Sequence, residues 1–307
     1  MKTAFVFPGQ GSQSVGMGKE FYNNFSIAKQ VFEEVDDALN QKLSNIIFNG
    51  SLEELTLTAN AQPAIMTTSI AILRVLQHET GKKISDFCQY VAGHSLGEYT
   101  ALCAAEAISL GDMAKLVRLR GESMQNAVAP GIGAMAAVLG MDLEKIQNIL
   151  SEVSCGDLIC QIANDNCPGQ VVISGHLEAV NAAIARIVAA GNKAIKLPVS
   201  APFHCDLMDG VKPIMAEALN QLKIVTPKIP LISNVLADVI SEPEDIKKCL
   251  IEQISGMVRW RESVVALKKM NVLNITEVGA GKVLTGITKR IDGDLKLINI
   301  QSINDIA

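Results

Sequence analysis

The stretch Val91-Ala-Gly-His-Ser-Leu-Gly-Glu-Tyr99 decides how the rest of the chain is interpreted. Residues 87–92 favour a buried strand, and the small, apolar residues of 98–110 favour a helix. At a sharp strand-to-helix turn, a Gly-x-Ser-x-Gly sequence exposes the serine hydroxyl and leaves the next backbone N–H able to bind an oxyanion. The context therefore favours a nucleophilic Ser95 over a serine that only caps a helix.

Strand and helix patterns alternate on both sides of this turn, which predicts an α/β protein. The predicted strands are 4–7, 87–92, 230–234, 274–278 and 296–301. The predicted helices are 19–43, 64–76, 98–110, 112–125, 207–222, 246–254, 258–270 and 282–291.

The middle of the chain has a different pattern. Strands are predicted at 135–140, 158–163, 170–174 and 193–199, helices at 143–153 and 177–190, and a turn at 164–169. The resulting βαββαβ order is the ferredoxin-like pattern. We therefore expect an inserted ferredoxin-like subdomain at 129–198, between the two parts of an α/β catalytic core at 1–128 and 199–307.

Composition excludes several classes of protein. The net charge of −5 argues against a general nucleic-acid binder. Seven cysteines, an odd number with no Cys-x-x-Cys, predict a reduced cytoplasmic protein without a metal site. No apolar run reaches the roughly 18 residues of a membrane span, and we expect no signal peptide. The Gly11-x4-Gly16 spacing is followed by Met17 and Gly18, so it is not a phosphate loop.

A nucleophilic serine needs a base within hydrogen-bond reach, and the chain has only four histidines. His78 lies near the polar end of a helix, His94 is adjacent to Ser95 and must point elsewhere, and His176 opens a helix. His204 follows the last strand of the inserted unit, and strand ends are where α/β sheets place their chemistry. His204 is therefore the predicted base, the alternative being a structural or helix-capping histidine.

The group that orients His204 stays open at this point. Asp206 and Asp209 are close in sequence, but both fit the first turn of a helix better. About a hundred residues follow His204, whereas an α/β-hydrolase would have its histidine near the C-terminus. This departure indicates a Ser–His dyad oriented by a backbone carbonyl.

Two further groups suit acyl chemistry. The backbone N–H of Gln10, in the loop after the first strand, can oppose that of Leu96 and complete an oxyanion hole. Arg120 lies two turns into a helix with an apolar face. It fits either a bidentate carboxylate ligand or a solvated helix charge, and Arg118 suits the second role better.

Five motifs in register resemble the malonyl-CoA:acyl carrier protein transacylases of type II fatty acid synthesis. They are FPGQGSQ at 7–13, GHSLGE at 93–98, LRG at 119–121, the run Pro-x-x-Ala-Pro-Phe-His at 198–204, and EVGAGKVLTGITKR at 277–290. The resemblance covers essentially the whole chain. It implies an α/β-hydrolase-like core with a parallel sheet and the inserted ferredoxin-like unit.

The resemblance also implies a ping-pong acyl transfer that needs no cofactor. Ser95 would attack the thioester of malonyl-CoA while His204 takes its proton. The N–H groups of Gln10 and Leu96 would hold the oxyanion, and Arg120 the malonyl carboxylate. The phosphopantetheine thiol of acyl carrier protein would then collect the malonyl group.

Further pocket residues follow from the resemblance alone. Gln253, Gln62 and Asn164 fall on polar pocket positions of the family, and a carbonyl beside Gln253 would orient His204. Phe203 stands where methylmalonyl-selective relatives have Ser, which favours malonyl. Ala280 replaces a proline that many relatives carry.

Alternative functions make different predictions. A serine hydrolase of esters or thioesters would hydrolyse its acyl-enzyme, and a non-catalytic carrier-protein-binding subunit would form none. A transacylase serving a polyketide pathway is a close variant.

We expect a monomer that binds acyl carrier protein and malonyl-CoA, but no nucleic acid and no membrane. Candidate basic residues for the acidic carrier protein are Lys193, Lys196, Lys282, Lys289 and Arg290.

Overall fold

The computed structural model describes residues 2–199 and 201–306. In these residues the strands, in chain order, are β1 (Lys2–Phe7), β2 (Tyr90–Gly93), β3 (Gly133–Leu139), β4 (Cys160–Cys167), β5 (Gln170–His176), β6 (Lys193–Lys196), β7 (Leu231–Ile232), β8 (Val239–Ile240), β9 (Val272–Val278) and β10 (Lys296–Ile300).

The α-helices of the same residues surround two sheets. They are α1 (Lys19–Asn24), α2 (Ser26–Leu39), α3 (Leu43–Asn49), α4 (Leu52–Thr56), α5 (Thr58–Thr80), α6 (Ile84–Phe87), α7 (Leu96–Ala104), α8 (Leu110–Gln125), α9 (Leu143–Val153), α10 (Leu177–Ala189), α11 (Lys212–Gln221), α12 (Pro243–Glu252), α13 (Trp260–Lys269) and α14 (Val283–Ile291). Short 3-10 helices cover Asp206–Val211 and Ile303–Asp305. No helix in the described part of the chain is long and apolar enough to cross a membrane.

The larger sheet has six strands in the order β10-β9-β1-β2-β7-β8, parallel except for the last pair. The last four residues of β1 are buried, as expected for a parallel strand covered on both faces. Phe7 pairs with Gly93, so β1 and β2 end side by side. The loop after β1 therefore lies against the turn that carries Ser95, and the N–H of His94 donates to the Phe7 carbonyl at 3.2 Å.

The smaller sheet has four strands in the order β4-β5-β3-β6, and every neighbouring pair is antiparallel. Its elements follow one another as β, α, β, β, α, β, as the sequence predicts. α9 and α10 bury Ile146, Leu150, Val180 and Ile187 against it. β4 also bridges toward the larger unit, where Asn164 pairs with Val258.

The predicted boundary between the strand 158–163 and the turn 164–169 is wrong for a tertiary reason. The predicted turn at 164–169 is mostly strand, because β4 continues to Cys167. Its polar residues are held by partners far along the chain: the N–H of Asp165 donates to the Val258 carbonyl at 3.0 Å. The Asp165 carboxylate also forms a salt bridge of 2.7 Å with Arg261. Only Pro168 and Gly169 form the turn.

Several helices also differ from their predicted bounds. The predicted helix 19–43 is broken at Phe25, whose backbone is extended with φ −129°. The predicted strand 87–92 begins at Tyr90, since Phe87 ends α6. α5 starts six residues earlier than predicted and contains Pro63. Pro63 is the sixth residue of α5, beyond the first N–H groups that have no intrahelical partner, so its missing N–H removes one hydrogen bond from the helix.

Candidate active site

Ser95 lies at a strained turn between β2 and α7. Its backbone has φ 51° and ψ −103°, a positive φ that costs a non-glycine residue of order 1–3 kcal/mol. The flanking glycines allow the turn to form, since a side chain on Gly93 would collide with the backbone of Gly97. A side chain on Gly97 would in turn collide with the Phe7 carbonyl. The tight turn projects the serine hydroxyl away from the sheet.

His204 lies beside this hydroxyl and is suited to act as its general base. Its Nε2 lies 2.8 Å from Ser95 Oγ, and its Nδ1 lies 2.9 Å from the Gln253 carbonyl and 3.1 Å from that of Gly256. Carbonyl oxygens only accept, so Nδ1 carries the proton and Nε2 is free to accept one. Burial, followed by the charge of Arg120, lowers the pKa of His204 to about 3. The imidazole is therefore neutral near pH 7.

The carboxylates near His204 in sequence are directed elsewhere, as predicted. Asp206 accepts from the side chain of Gln161 at 2.8 Å, and Asp209 from the Ser255 hydroxyl at 2.7 Å. Both open the 3-10 helix that follows His204. The orienting contacts of His204 are the two backbone carbonyls.

The other three histidines are placed apart from the Ser95 hydroxyl. His94 points toward the smaller sheet, with Nε2 2.8 Å from Asn166 Oδ1 and its ring 5.9 Å from that of Trp260. His176 stands at the N-cap position of α10, and its Nδ1 accepts the N–H of Ile159 at 3.0 Å. His78 is exposed near the end of α5.

Arg120 is a buried cation directed at Ser95. Only 1% of its surface is exposed, and its Nη2 lies 3.1 Å from Ser95 Oγ. Nη1 donates to Gln62 Oε1 at 2.8 Å and Nη2 to Gln253 Oε1 at 2.9 Å, while the guanidinium lies 4.9 Å from the centre of the Tyr99 ring. The structure thus excludes the solvated helix charge for Arg120.

Arg118, on the same helix, is less buried than Arg120. It is partly buried and donates to the side chains of Asn60 at 2.8 Å and Gln41 at 2.6 Å. Among the described residues, the partners of Arg120 are neutral groups and its Nε lacks a hydrogen-bond partner. A buried cation without a carboxylate in contact is suited to bind an anionic ligand.

Gln253, just after α12, connects several of these groups. Its amide nitrogen donates to the Ser95 carbonyl at 3.0 Å and to Glu98 Oε2 at 2.6 Å. Glu98 is fully buried in the first turn of α7. Burial raises the pKa of its carboxyl to about 7, against the opposing effect of the Gln253 hydrogen bond.

Asn234 is a residue at the turn that the sequence analysis missed. Its Oδ1 accepts the N–H of Ser95 at 2.7 Å, and its Nδ2 donates to the Gly93 carbonyl at 2.7 Å. It therefore binds the backbone on both sides of His94 and stabilises the strained turn. An asparagine shortly after a short buried strand was the available signal, but nothing local tells which backbone it reaches.

A cleft of about 380 Å³ opens beside Ser95, between the two sheets. Gln10, Gln62, Asn164 and Phe203 line it together with Ser95, Arg120 and His204. Leu96 is different, because its side chain is buried in the core. Its N–H belongs to the first residue of α7, where helix N–H groups have no intrahelical partner.

Comparisons with known proteins place the chain in one family. The family described as acyl transferase domain matches residues 4–290. A malonyl CoA-acyl carrier protein transacylase of Bacillus subtilis (strain 168) is 48% identical over 300 residues, covering 97% of this chain and 93% of the relative.

Solved structures of similar proteins cover the whole chain. An acyl-carrier-protein-S-malonyltransferase from Bartonella henselae has a TM-score of 0.97 at 48% identity, covering 100% of this chain and 97% of that one. A malonyl-transacylase in complex with its type II PKS acyl-carrier protein has a TM-score of 0.95 at 39% identity, covering 100% and 98%.

Proposed function

The chain belongs to the malonyl CoA-acyl carrier protein transacylase family of acyltransferases, and we propose that it moves malonyl groups from CoA to acyl carrier protein through a malonyl-Ser95 ester. The observation that carries this proposal is the buried Arg120, with Nη2 3.1 Å from Ser95 Oγ. A cation at that distance from the nucleophile suits an acyl group that ends in a carboxylate.

In the first half-reaction Ser95 Oγ attacks the thioester carbon and gives its proton to His204 Nε2. The 2.8 Å contact and the Nδ1 hydrogen bonds to two carbonyls support this direction of transfer. The tetrahedral intermediate then loses CoA as the C–S bond breaks, and the CoA sulfur takes the proton from His204.

The oxyanion of the intermediate requires donors beside Ser95. We assign this role to the backbone N–H of Leu96, at the start of α7, and to that of Gln10, in the loop beside the turn. The positive end of the α7 dipole favours the same negative charge.

Arg120 would bind the malonyl carboxylate through two N–H groups. Gln62 on α5 and Gln253 just after α12 hold the guanidinium in place by accepting hydrogen bonds from Nη1 and Nη2, respectively. A neutral acyl group would leave this cation buried without a counter-charge, which is costly. Asn164 contributes a polar group to the cleft wall, and Phe203 an apolar one that we assign to the exclusion of a methylmalonyl branch.

In the second half-reaction the phosphopantetheine thiol attacks the malonyl ester. Its proton passes to His204, the ester C–O bond breaks, and Ser95 Oγ recovers the proton. The partly enclosed cleft limits the access of water to the ester, which favours transfer to a thiol over hydrolysis.

An acidic carrier protein needs a positive surface on a chain of net charge −5. Lys193 and Lys196 are exposed on β6, and Lys282, Lys289 and Arg290 are exposed at or on α14, whose apolar residues line the cleft. We assign docking to these residues. Charge reversal at a true contact raises the KM for carrier protein and leaves the rate of malonyl loading unchanged. If neither quantity changes, that residue is not part of the docking surface.

The finer architectural assignments belong to the same proposal. The strand order and helices of 133–196 support a ferredoxin-like unit inserted at 129–198, and the strand–Ser95–helix turn supports an α/β-hydrolase-like core. Limited proteolysis near residues 129 and 198 tests these boundaries. We also assign the protein to fatty acid biosynthesis, to the cytoplasm and to a monomeric state. Gene depletion with lipid analysis tests the first assignment, cell fractionation the second and light scattering the third.

Intact mass spectrometry after mixing with malonyl-CoA tests the central step. A malonyl adduct that is absent in Ser95→Ala and passes to added carrier protein is the expected result. Free malonate accumulating without transfer would instead indicate a hydrolase. No adduct and no turnover would indicate a non-catalytic binding subunit.

A further inference from the structure

Glu98 is a buried carboxylate that the reaction above does not use. It lies three residues after Ser95 in the first turn of α7 and is 0% exposed. Its Oε2 accepts the Gln253 amide at 2.6 Å and the backbone N–H of Asn234 at 3.2 Å. Glu98 therefore contacts two segments that each touch the Ser95 turn.

The Gln253 amide has a donor end and an acceptor end, and its surroundings fix which end faces Arg120. The donor end faces two acceptors, Glu98 Oε2 and the Ser95 carbonyl. The acceptor end, Oε1, receives Arg120 Nη2 at 2.9 Å. A reversed amide would face donors with donors at Arg120 and acceptors with acceptors at Glu98, so Glu98 opposes that reversal.

The same contacts connect Glu98 to Arg120 electrostatically without a direct salt bridge. One amide separates the Glu98 carboxyl from the guanidinium. Burial lowers the pKa of Arg120, and the field of ionised Glu98 opposes that effect. Arg120 Nη1 is thus held by Gln62, while Nη2 is held by Gln253 and directed at Ser95 Oγ.

We propose that Glu98 is a positioning residue for acyl groups that carry a carboxylate, acting through Gln253 on Arg120. The inference rests on the proposed function, because it concerns the site in which Arg120 would bind the malonyl carboxylate. Loss of the Glu98 acceptor loosens the Gln253 amide, and the guanidinium then loses one of its three fixed partners. The Ser95–His204 pair, whose imidazole is held by backbone carbonyls, keeps its geometry.

The test compares two reactions of Ser95 in the full chain. Malonyl loading from malonyl-CoA needs Arg120, whereas phenylmethylsulfonyl fluoride is neutral and sulfonylates Ser95 Oγ with loss of fluoride and the serine proton. Glu98→Met keeps most of the side-chain volume and replaces the carboxylate with a thioether, which accepts hydrogen bonds only weakly. We expect its malonyl loading rate to fall about 10- to 100-fold and its sulfonylation rate to stay within about threefold of wild type.

Three further variants separate positioning from a general structural effect. Glu98→Gln keeps an acceptor for Gln253 and should load malonyl within about threefold of wild type. Gln253→Ala removes the intermediary, so adding Glu98→Met to it should cause little further loss. Glu277→Met is a matched control, because Glu277 is equally buried but caps α14 through Leu284 and Thr285. It should leave the ratio of the two rates unchanged.

The inference is overturned if Glu98→Met loads malonyl at the wild-type rate, if both reactions slow in parallel, or if the Glu98 and Gln253 effects are independent. Glu98→Ala serves for the same comparison if the Met variant does not fold. A wild-type protein that takes no malonyl refutes the proposed function and this inference with it. Normal wild-type loading with an unaffected Glu98 variant refutes the inference alone.

Discussion

Arg120→Met removes the cation that we assign to the malonyl carboxylate while keeping most of the side-chain volume. Two hydrogen bonds between a guanidinium and a carboxylate contribute about 1.5–3 kcal/mol each, or about 3–6 kcal/mol together. Because about 1.4 kcal/mol corresponds to a tenfold change in rate, kcat/KM for malonyl loading should fall about 10²- to 10⁴-fold. Loading from acetyl-CoA, which has no carboxylate, should not fall.

Quenched-flow mixing followed by intact mass spectrometry measures both loading rates on the same protein. Arg118→Met is the matched control: it lies on the same helix, but its partners are Asn60 and Gln41, and it should retain wild-type loading. Malonyl loading at the wild-type rate in Arg120→Met would refute the reasoning. So would a parallel fall of malonyl and acetyl loading, since that would indicate damage to Ser95 or His204.

Three other variants test the surroundings of Ser95. His204 is protonated below about pH 6.5 in the unfolded state but only near pH 3 in the folded state, so lowering the pH favours unfolding. Between pH 7 and pH 5 the free energy of unfolding, measured by urea titration, should fall by about 2 kcal/mol more in wild type than in His204→Gln. An equal fall in both proteins would contradict this. Asn234→Ala removes two hydrogen bonds from the strained turn and should lower the free energy of unfolding by about 1–3 kcal/mol and slow loading; unchanged values would show that Asn234 does not hold the turn. Phe203→Ser should lower the preference for malonyl-CoA over methylmalonyl-CoA about tenfold in competition loading, whereas an unchanged preference would remove Phe203 from the selectivity assignment.

The parts of the site that the sequence predicted are those that depend on local geometry. The Gly93-x-Ser95-x-Gly97 turn needs its glycines for contacts with adjacent backbone, so the motif and the strand–helix pattern identify it together. His204 was reached because the chain has few histidines and only one follows the inserted unit. The α/β class could be predicted from the alternation of strands and helices, because hydrophobic periodicity is a local property.

The parts that could not be predicted depend on contacts between remote segments. Asn234 and Ser95 are 139 residues apart, and no local rule connects them. The same holds for β4, where Asn164 and Asp165 look like turn residues but are held in a strand by Val258 and Arg261. Propensity describes an isolated segment, and these tertiary partners override it.

On the proposed function, Arg120 would also connect the choice of acyl group to the pKa of His204. After burial, the charge of Arg120 is the largest cause of the low pKa of His204, because a cation nearby disfavours a second one. A substrate carboxylate paired with Arg120 weakens this repulsion, so His204 can take the Ser95 proton more readily. An acetyl group leaves the repulsion in place and is therefore disfavoured in the chemical step as well as in binding. On this reasoning Arg120→Met loads acetyl faster than wild type does, and an unchanged acetyl rate would show that selectivity arises from binding alone.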